Sequence, residues 1–136
     1  MARIIYAEDD AMMGELVQTV LMAEGHAVGV VKDGAEVLPV ITRRRPDLLI
    51  LDVSMPGVTG SQVLRDVRRD PELYNLPVLM LTARTSQGDE DIARIAGASD
   101  YLRKPFAPEM LASRVQALLE RKEEQEARRT PPSRGI

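Results

Sequence analysis

Apolar residues in this chain form short runs, and stretches with helical spacing separate them. Runs typical of buried strands occupy residues 4–7, 28–31, 48–51, 77–81 and 101–102. Helical periodicity or a capping signal marks residues 11–24, 33–43, 60–69, 87–96 and a last segment beginning near Pro108. Strands and helices therefore alternate five times, which predicts a parallel sheet with helices on both faces. We expect a doubly wound α/β fold with five parallel strands.

Local signals refine these elements. Asp33 is a good N-cap for the second helix, and Pro39 inside that helix should kink or shorten it. Gly25 should end the first helix, and Ser86 is a candidate cap for the weaker fourth helix. Apolar residues at helical spacing predict one face each for the first, third and last helices: Met12, Leu16, Val20 and Met22; Val63, Leu64 and Val67; Leu111, Val115, Leu118 and Leu119. The chain length fits the flavodoxin-like strand order 2-1-3-4-5.

Composition removes several classes of function. The formal net charge of −3 provides no basic field for nonspecific nucleic-acid binding, and the few aromatic residues make base stacking implausible. The absence of cysteine excludes disulfides and thiolate metal sites, and the single histidine, His26, excludes a histidine-cluster metal site. No apolar run approaches the roughly 20 residues of a membrane span, and no secretory segment precedes the first strand. We expect a cytoplasmic protein without a membrane partner.

The last part of the chain differs from the rest. We expect one domain over residues 1–121, followed over residues 122–136 by a charged helical extension and a disordered, proline-containing tail. A solvated helix end is the favoured interpretation, because the apolar a/d repeat that a coiled-coil linker needs does not continue.

Asp52 is the most informative single residue. It ends the apolar run 48–51, and a bare carboxylate at the tip of a doubly buried strand must be solvated, paired or liganded. The carboxyl ends of parallel strands meet at one edge of the sheet, where ligands bind in open α/β folds. Polar residues follow the other strands at the same edge: Glu8, Asp9 and Asp10 after the first, Thr82 after the fourth and Lys104 after the fifth.

Three acids in one cleft, Glu8, Asp9 and Asp52, would repel one another unless a cation lay between them. Oxygen ligands without cysteine or histidine favour Mg²⁺ or Mn²⁺. Lys104 adds a positive charge suited to a phosphoryl oxygen, and Thr82 adds a hydroxyl donor. Together these groups are what in-line phosphoryl transfer onto an aspartate needs.

Each of these residues also has a simpler interpretation. The acidic run 8–10 could be a solvated turn, with Asp10 as the cap of the first helix. Thr82 alone would be a strand-end cap and Lys104 alone a surface residue, although the Lys104-Pro105 bond is a plausible cis site. Because all of these residues occur at the carboxyl ends of strands, a shared phosphoryl-transfer site is favoured over these separate structural roles.

The chain resembles the receiver domain of two-component response regulators over about residues 3–121. The matching segments are 4–10 (IIYAEDD), 51–57 (LDVSMPG), 81–83 (LTA) and 97–106 (GASDYLRKPF). The resemblance implies that Asp52 is the phosphoacceptor. A sensor histidine kinase or a small phosphodonor would supply the phosphoryl group. It further implies that Asp9 binds Mg²⁺ directly, Glu8 through water, and Ser54 through its backbone carbonyl. Lys104 then resembles the lysine of the family's phosphate site, and Thr82 and Tyr101 its switch pair.

In this family, phosphorylation reshapes the face built from the fourth helix, fifth strand and fifth helix. The last helix resembles DNA-binding regulators of the winged-helix type, which dimerise through salt bridges on that face. Asp100 and Arg114 match one such pair, whereas Glu90, Ser99 and Met110 depart from the pattern. We therefore expect a monomer or weak homodimer and no direct nucleic-acid contact. Ser54 and Arg84, each two residues beyond a site residue, are expected to tune the lifetime of the phosphoryl group.

Three alternatives stay open beside a stand-alone signalling switch. One is a receiver fragment of a larger regulator, since no winged-helix segment follows within the 136 residues. Another is a phosphatase with an aspartate nucleophile, which is disfavoured because Ser54 stands where that enzyme class has its general acid. A third is a binding module that works without phosphate, which the complete set of site residues disfavours. The preferred interpretation is a regulatory domain and not an enzyme that turns over substrate.

Overall fold

Five parallel strands form one sheet in the order β2-β1-β3-β4-β5, which confirms the predicted doubly wound fold. The structure is a computed structural model that describes residues 1–53, 55, 57–82, 94 and 96–129. The strands are β1 (Arg3–Ala7), β2 (Ala27–Val31), β3 (Leu48–Asp52), β4 (Val78–Thr82) and β5 (Asp100–Arg103). Every residue of β3 and β4 is buried, as expected for the centre of a sheet that is covered on both faces.

Four helices are described: α1 (Ala11–Ala23), α2 (Gly34–Arg44), α3 (Gly60–Arg69) and α4 (Pro108–Arg129). The helix predicted over 87–96 falls mostly outside the described residues, as does its candidate cap Ser86; Arg94 and Ala96 are helical. Asp33 caps α2 as predicted, and its carboxylate oxygen accepts a hydrogen bond from the amide of Ala35. No helix within the described ranges is both long and apolar enough to cross a membrane.

The sheet separates two hydrophobic layers. On one side, α2 and α3 pack onto it through Val37, Ile41, Val63, Leu64 and Val67. On the other side, α1 and α4 pack through Val17, Leu21, Leu111, Val115, Leu118 and Leu119. The inward faces predicted for α3 and α4 are confirmed. The sheet is thus held from both sides, and its carboxyl edge presents the site.

The predicted apolar face of α1 is wrong except at Val20, which is partly buried against the core. Met12, Leu16 and Met22 are 83%, 46% and 56% exposed, and the buried residues are Gly14, Val17 and Leu21. The helix rests on β2 through Gly14, where an added Cβ would lie 3.4 Å from Val30. A glycine on the buried face contributes no apolar signal, so the exposed methionines dominated the pattern.

Pro39 does not shorten α2, which was one of the two effects predicted for it. The helix continues from Pro39 to Arg44, and Pro39 itself is exposed. A proline on the solvent side leaves the carbonyl four residues earlier, that of Ala35, without its helical donor, and water can replace that donor at an exposed position.

Arg68, at the end of α3, braces the chain before β5. Its guanidinium donates to the carbonyls of Gly97 (2.8 Å), Tyr74 (3.0 Å) and Leu76 (2.6 Å), and to the hydroxyl of Ser99 (3.3 Å). Gly97 has φ +109°, and a Cβ there would meet the Arg68 side chain at 3.0 Å. Ser99, which departs from the expected acid of the winged-helix regulators, therefore has a structural role inside the chain.

The charged extension begins in contact with the domain. Lys122 pairs with Asp47 at 3.4 Å and with Glu126 at 3.0 Å, and Asp47 also accepts the amide of Arg3 at 2.8 Å. The helix continues to Arg129, and the tail predicted over residues 130–136 lies outside the described part of the chain.

Asp47 should make stability depend on pH. Burial acts to raise the pKa of Asp47, but the Arg3 amide and the Lys122 ammonium outweigh it and hold the pKa below its ordinary value. A depressed folded-state pKa stabilises the fold above the unfolded-state pKa, about 3.9, and that stabilisation disappears as the pH falls through the folded-state value. We expect Asp47→Asn to cost about 0.5 kcal/mol at pH 6, and we expect this cost to decrease as the pH falls below the unfolded-state pKa. Urea unfolding at several pH values measures it. A difference that stays constant over this range would contradict the prediction.

Candidate functional site

The carboxyl edge of the sheet brings together the acids that the sequence analysis singled out. Side-chain oxygens of Glu8, Asp9 and Asp52 all lie within 4.8 Å of one another. Glu8 and Asp52 are 1% and 6% exposed, whereas Asp9 is exposed to solvent. Thr82, 1% exposed, ends β4 beside Asp52, because Asp52 pairs in register with Leu81. Asp10 lies outside the cluster and caps α1, accepting the amides of Met12 and Met13.

The spacing of the three carboxylates fits a hard divalent cation. Octahedral Mg²⁺ binds oxygen at about 2.1 Å, so ligands on opposite sides of the ion are about 4.2 Å apart. Oxygens within 4.8 Å of one another can therefore share one ion, directly or through a bound water. The exposed carboxylate of Asp9 gives an ion access from solvent. Ser54, whose backbone carbonyl was a predicted ligand, lies outside the described residues.

Lys104 places a positive charge between two of these acids. Its ammonium lies 2.9 Å from Glu8 Oε1 and 3.5 Å from Asp52 Oδ2. The backbone amide of Lys104 donates to the carbonyl of Thr82 at 2.6 Å, which ties the chain after β5 to the end of β4. The Lys104-Pro105 peptide bond is cis. Lys104 is thus close to Asp52 but makes its shorter contact with Glu8.

Tyr6 belongs to the same network, although it was not among the predicted site residues. Its hydroxyl donates to Glu8 Oε1 at 2.5 Å, and the side chain is fully buried. A signal was present in the sequence, because residues two apart on a strand share a face and a buried tyrosine hydroxyl needs a partner. Tyr6 and Glu8 meet that condition, but Tyr6 was read only as part of an apolar run.

This network keeps the buried Glu8 ionised. Burial acts to raise the pKa of Glu8, but hydrogen bonds with Tyr6, Asp52 and Lys104 outweigh it and hold the pKa below its ordinary value. Burial, together with the hydrogen bond to the negative Glu8, raises the pKa of Tyr6 far above that of a free phenol, so Tyr6 is a neutral donor. The site is therefore negatively charged near neutral pH, as a cation site should be.

Two glycines let helices approach the site closely. An added Cβ at Gly60 would lie 2.3 Å from the carbonyl oxygen of Asp52. At Gly34 it would lie 1.8 Å from the carbonyl oxygen of Val58, in the loop that follows β3. Both contacts are with backbone, which cannot rotate away as a side chain can. The start of α3 and the start of α2 thus fix the chain on either side of the loop after Asp52.

Tyr101 occupies an inward position on β5. The side chain is 4% exposed and lies among the residues packed between the sheet and helices α2 and α3. Its hydroxyl is buried and has no hydrogen-bond partner among the described residues. Packing of the ring against this hydrophobic layer therefore contributes to the inward position.

Asp100 and Arg114 form an ion pair within one chain. Arg114 Nη1 lies 2.8 and 2.9 Å from the two carboxylate oxygens of Asp100, which connects β5 to α4. The resemblance to winged-helix regulators predicts a pair between subunits at these positions, whereas in this single chain the two residues pair with each other. Met110 is exposed on the same helix, whereas Glu90 and Arg84 lie outside the described residues.

Comparisons with known proteins agree with this geometry. The response regulator receiver domain family matches residues 4–116. The DNA-binding response regulator MtrA of Mycobacterium tuberculosis is 39% identical over 125 residues, covering 92% of this chain and 54% of MtrA. This chain thus spans about half the length of the curated relatives it matches.

Two solved structures show the same fold. The BeF3-activated N-terminal receiver domain of Klebsiella pneumoniae RstA superposes with a TM-score of 0.81 at 32% identity, over 86% of this chain and 97% of that one. The chemotaxis protein CheY4 of Vibrio cholerae gives a TM-score of 0.81 at 33% identity, over 87% and 98% of the two chains. With the family match over residues 4–116, these likenesses show that the chain belongs to the receiver domain family of two-component response regulators.

Proposed function

We propose that this chain is a phosphorylation-activated switch that accepts a phosphoryl group on Asp52. The observation that carries the proposal is the placement of Lys104 between Glu8 and Asp52, beside three carboxylates within 4.8 Å of one another. A nucleophilic carboxylate, a cation site and a lysine are the parts that phosphoryl transfer to an aspartate requires.

In the proposed reaction a carboxylate oxygen of Asp52 attacks phosphorus on the histidine of a sensor kinase, or on a small phosphodonor. The new phosphorus–oxygen bond forms as the bond to the imidazole nitrogen, or to the donor's leaving group, breaks. Lys104, 3.5 Å from Asp52, then pairs with an oxygen of the transferred group. Bound Mg²⁺ or Mn²⁺ would neutralise the charge that accumulates there. Asp9 would hold the ion directly, Glu8 through water, and Ser54 through its backbone carbonyl.

The output of the switch would come from Thr82 and Tyr101. The aspartyl phosphate would carry added charge and acceptor oxygens, and the hydroxyl of the neighbouring Thr82 would donate to one of them. The inward Tyr101 is one of two positions whose populations phosphorylation shifts. The surface that changes would include β5, α4 and the helix predicted over 87–96. Arg84 and Ser54 are proposed to tune how long the phosphoryl group persists.

The proposed partners follow from the family. A sensor histidine kinase would supply the phosphoryl group, and an unidentified target would bind the face that includes β5 and α4. We propose that residues 1–121 act as the receiver domain and residues 122–136 as an extension, either alone or as part of a longer regulator in the cytoplasm. We propose a monomer or weak homodimer, because Glu90, Ser99 and Met110 depart from the pattern of pairs that joins the winged-helix regulators.

Beryllofluoride with Mg²⁺ tests the switch, because it mimics a phosphoryl group on aspartate. We expect amide resonances of residues 100–104 to shift and to saturate with added beryllofluoride, and we expect neither ion alone to reproduce the full change. Asp52→Asn provides the control, since its amide cannot form the adduct. If the wild-type spectrum did not respond, a binding module that works without phosphate would be the better description.

A further inference from the structure

We propose that Tyr6 is a positioning residue of the metal site: its hydroxyl holds the carboxylate of Glu8 in the orientation that receives the cation. The inference rests on the proposed function, because it assigns a role toward the ion that Glu8, Asp9 and Asp52 would bind. It concerns a residue that contacts neither the ion nor the phosphoryl group.

The hydrogen bonds of Glu8 divide its two oxygens between different tasks. Oε1 accepts both the Tyr6 hydroxyl at 2.5 Å and the Lys104 ammonium at 2.9 Å. Oε2 accepts a long contact, 3.4 Å, from the amide of Asp10. Because two close donors occupy Oε1, we assign Oε2 to the ion or its bound water. Tyr6 therefore determines which oxygen of Glu8 is available.

The two donors to Oε1 differ in how firmly they are held. Tyr6 is fully buried, packed on the α1 and α4 side of the sheet, and its ring has two rotatable bonds. Lys104 is 17% exposed, has a flexible four-carbon chain and also lies 3.5 Å from Asp52. When Lys104 turns toward a phosphoryl group on Asp52, its contact with Glu8 weakens. Tyr6 stays in place and keeps Glu8 oriented throughout the cycle.

A tyrosine is suited to this task because it is uncharged. A second lysine or an arginine at this position would also hold Glu8, but its charge would oppose binding of a divalent cation. The Tyr6 hydroxyl orients the carboxylate and leaves the negative charge of the three acids intact. This is the behaviour of the outer partners of metal ligands, whose loss typically weakens metal affinity about 10- to 100-fold.

Tyr6→Phe tests the proposal, because it removes the hydroxyl and keeps the ring. We expect the Kd for Mn²⁺, measured by isothermal titration calorimetry, to rise about 10-fold. Tyr74→Phe is the matched control, since Tyr74 is exposed and far from the site in sequence and fold, and its Kd should equal the wild-type value. A Tyr6→Phe protein that unfolds more easily but binds Mn²⁺ with unchanged Kd would show a structural role only and overturn the proposal.

A thermodynamic cycle shows whether Tyr6 acts through Glu8. In the Glu8→Gln background, adding Tyr6→Phe should change the Kd for Mn²⁺ less than about 2-fold, because the carboxylate that Tyr6 orients is absent. A 10-fold effect that persisted in that background would refute positioning through Glu8. If wild-type protein bound no Mn²⁺, or if Asp9→Asn bound it normally, the proposed function itself would fail, which separates the two claims.

Should Tyr6→Phe fail to fold, the wild-type protein still provides a test. The ring carbon that bears the hydroxyl of Tyr6 can be observed by NMR with labelled tyrosine. Mg²⁺ should shift this resonance, and should still shift it in Lys104→Ala, because the contact with Glu8 does not depend on the lysine. A resonance that does not respond to Mg²⁺ in either protein would contradict the proposal.

Discussion

Asp52→Asn is expected to abolish Mg²⁺-dependent labelling by a small phosphodonor such as acetyl phosphate. The amide is close to the carboxylate in size but is a far weaker nucleophile, so we expect the rate of incorporation to fall at least about 1,000-fold. The measurement is the mass increase of the intact protein after incubation with donor and Mg²⁺. The fold should survive, because the substitution preserves shape at a residue that ends a strand buried on both sides.

Asp10→Asn is the matched control for this loss. Asp10 lies two residues from Glu8, but it caps α1 and stands outside the group of three carboxylates. Asparagine also serves as an N-cap, so labelling of Asp10→Asn should match the wild type. Full labelling of Asp52→Asn would remove Asp52 as the phosphoacceptor, whereas loss in both variants would indicate a general effect of charge at this edge.

Gly34→Ala is expected to destabilise the protein by more than about 3 kcal/mol, an exceptional value for one methyl group. Its Cβ would lie 1.8 Å from the carbonyl oxygen of Val58 and 2.8 Å from the carbonyl carbon. The start of α2 and the loop after β3 must separate to accept it, and the separation removes contacts on both sides. The midpoint of urea unfolding at constant m-value measures the effect.

Gly14→Ala provides the comparison, because Gly14 is also a buried helical glycine. Its Cβ would meet one methyl group of Val30 at 3.4 Å, a contact that a small movement of that side chain relieves. Alanine favours a helix interior over glycine by about 1 kcal/mol, so Gly14→Ala should be neutral or more stable than wild type. Equal destabilisation of both variants would mean that the close backbone approach at Gly34 is not what makes glycine necessary.

The sequence was sufficient for the topology and for the location of the site. The spacing of apolar residues differs between strands and helices, so their alternation along the chain could be predicted directly. In a parallel sheet this alternation places Glu8, Asp9, Asp52 and Lys104 at one edge. The inward residues of α3, Val63, Leu64 and Val67, were predictable because that helix is strongly amphipathic, with polar residues covering its outer side.

The features that escaped prediction depend on contacts between segments distant in the chain. The buried face of α1 is built on Gly14, and only the approach of β2 explains why a glycine faces inward there. The prediction for Pro39 used only the loss of one helical hydrogen bond. Pro39 is exposed, so water can replace the missing donor and the helix continues. The apolar run alone did not indicate a role for Tyr6. Its hydroxyl partner can be predicted only if the strand direction is extended to Glu8, two residues later, which lies on the same face.

Arg68 has a further consequence for how the protein responds to its surroundings. Within the described part of the chain, the groups that accept its hydrogen bonds are three backbone carbonyls and the Ser99 hydroxyl, which are uncharged. Added salt screens the attraction between Lys104 and its carboxylates, and acid removes it, but neither acts strongly on contacts with neutral acceptors. The hydrogen bonds that hold the segment before Tyr101 should therefore change little with salt or pH. This segment should keep its position when the charge around Asp52 changes.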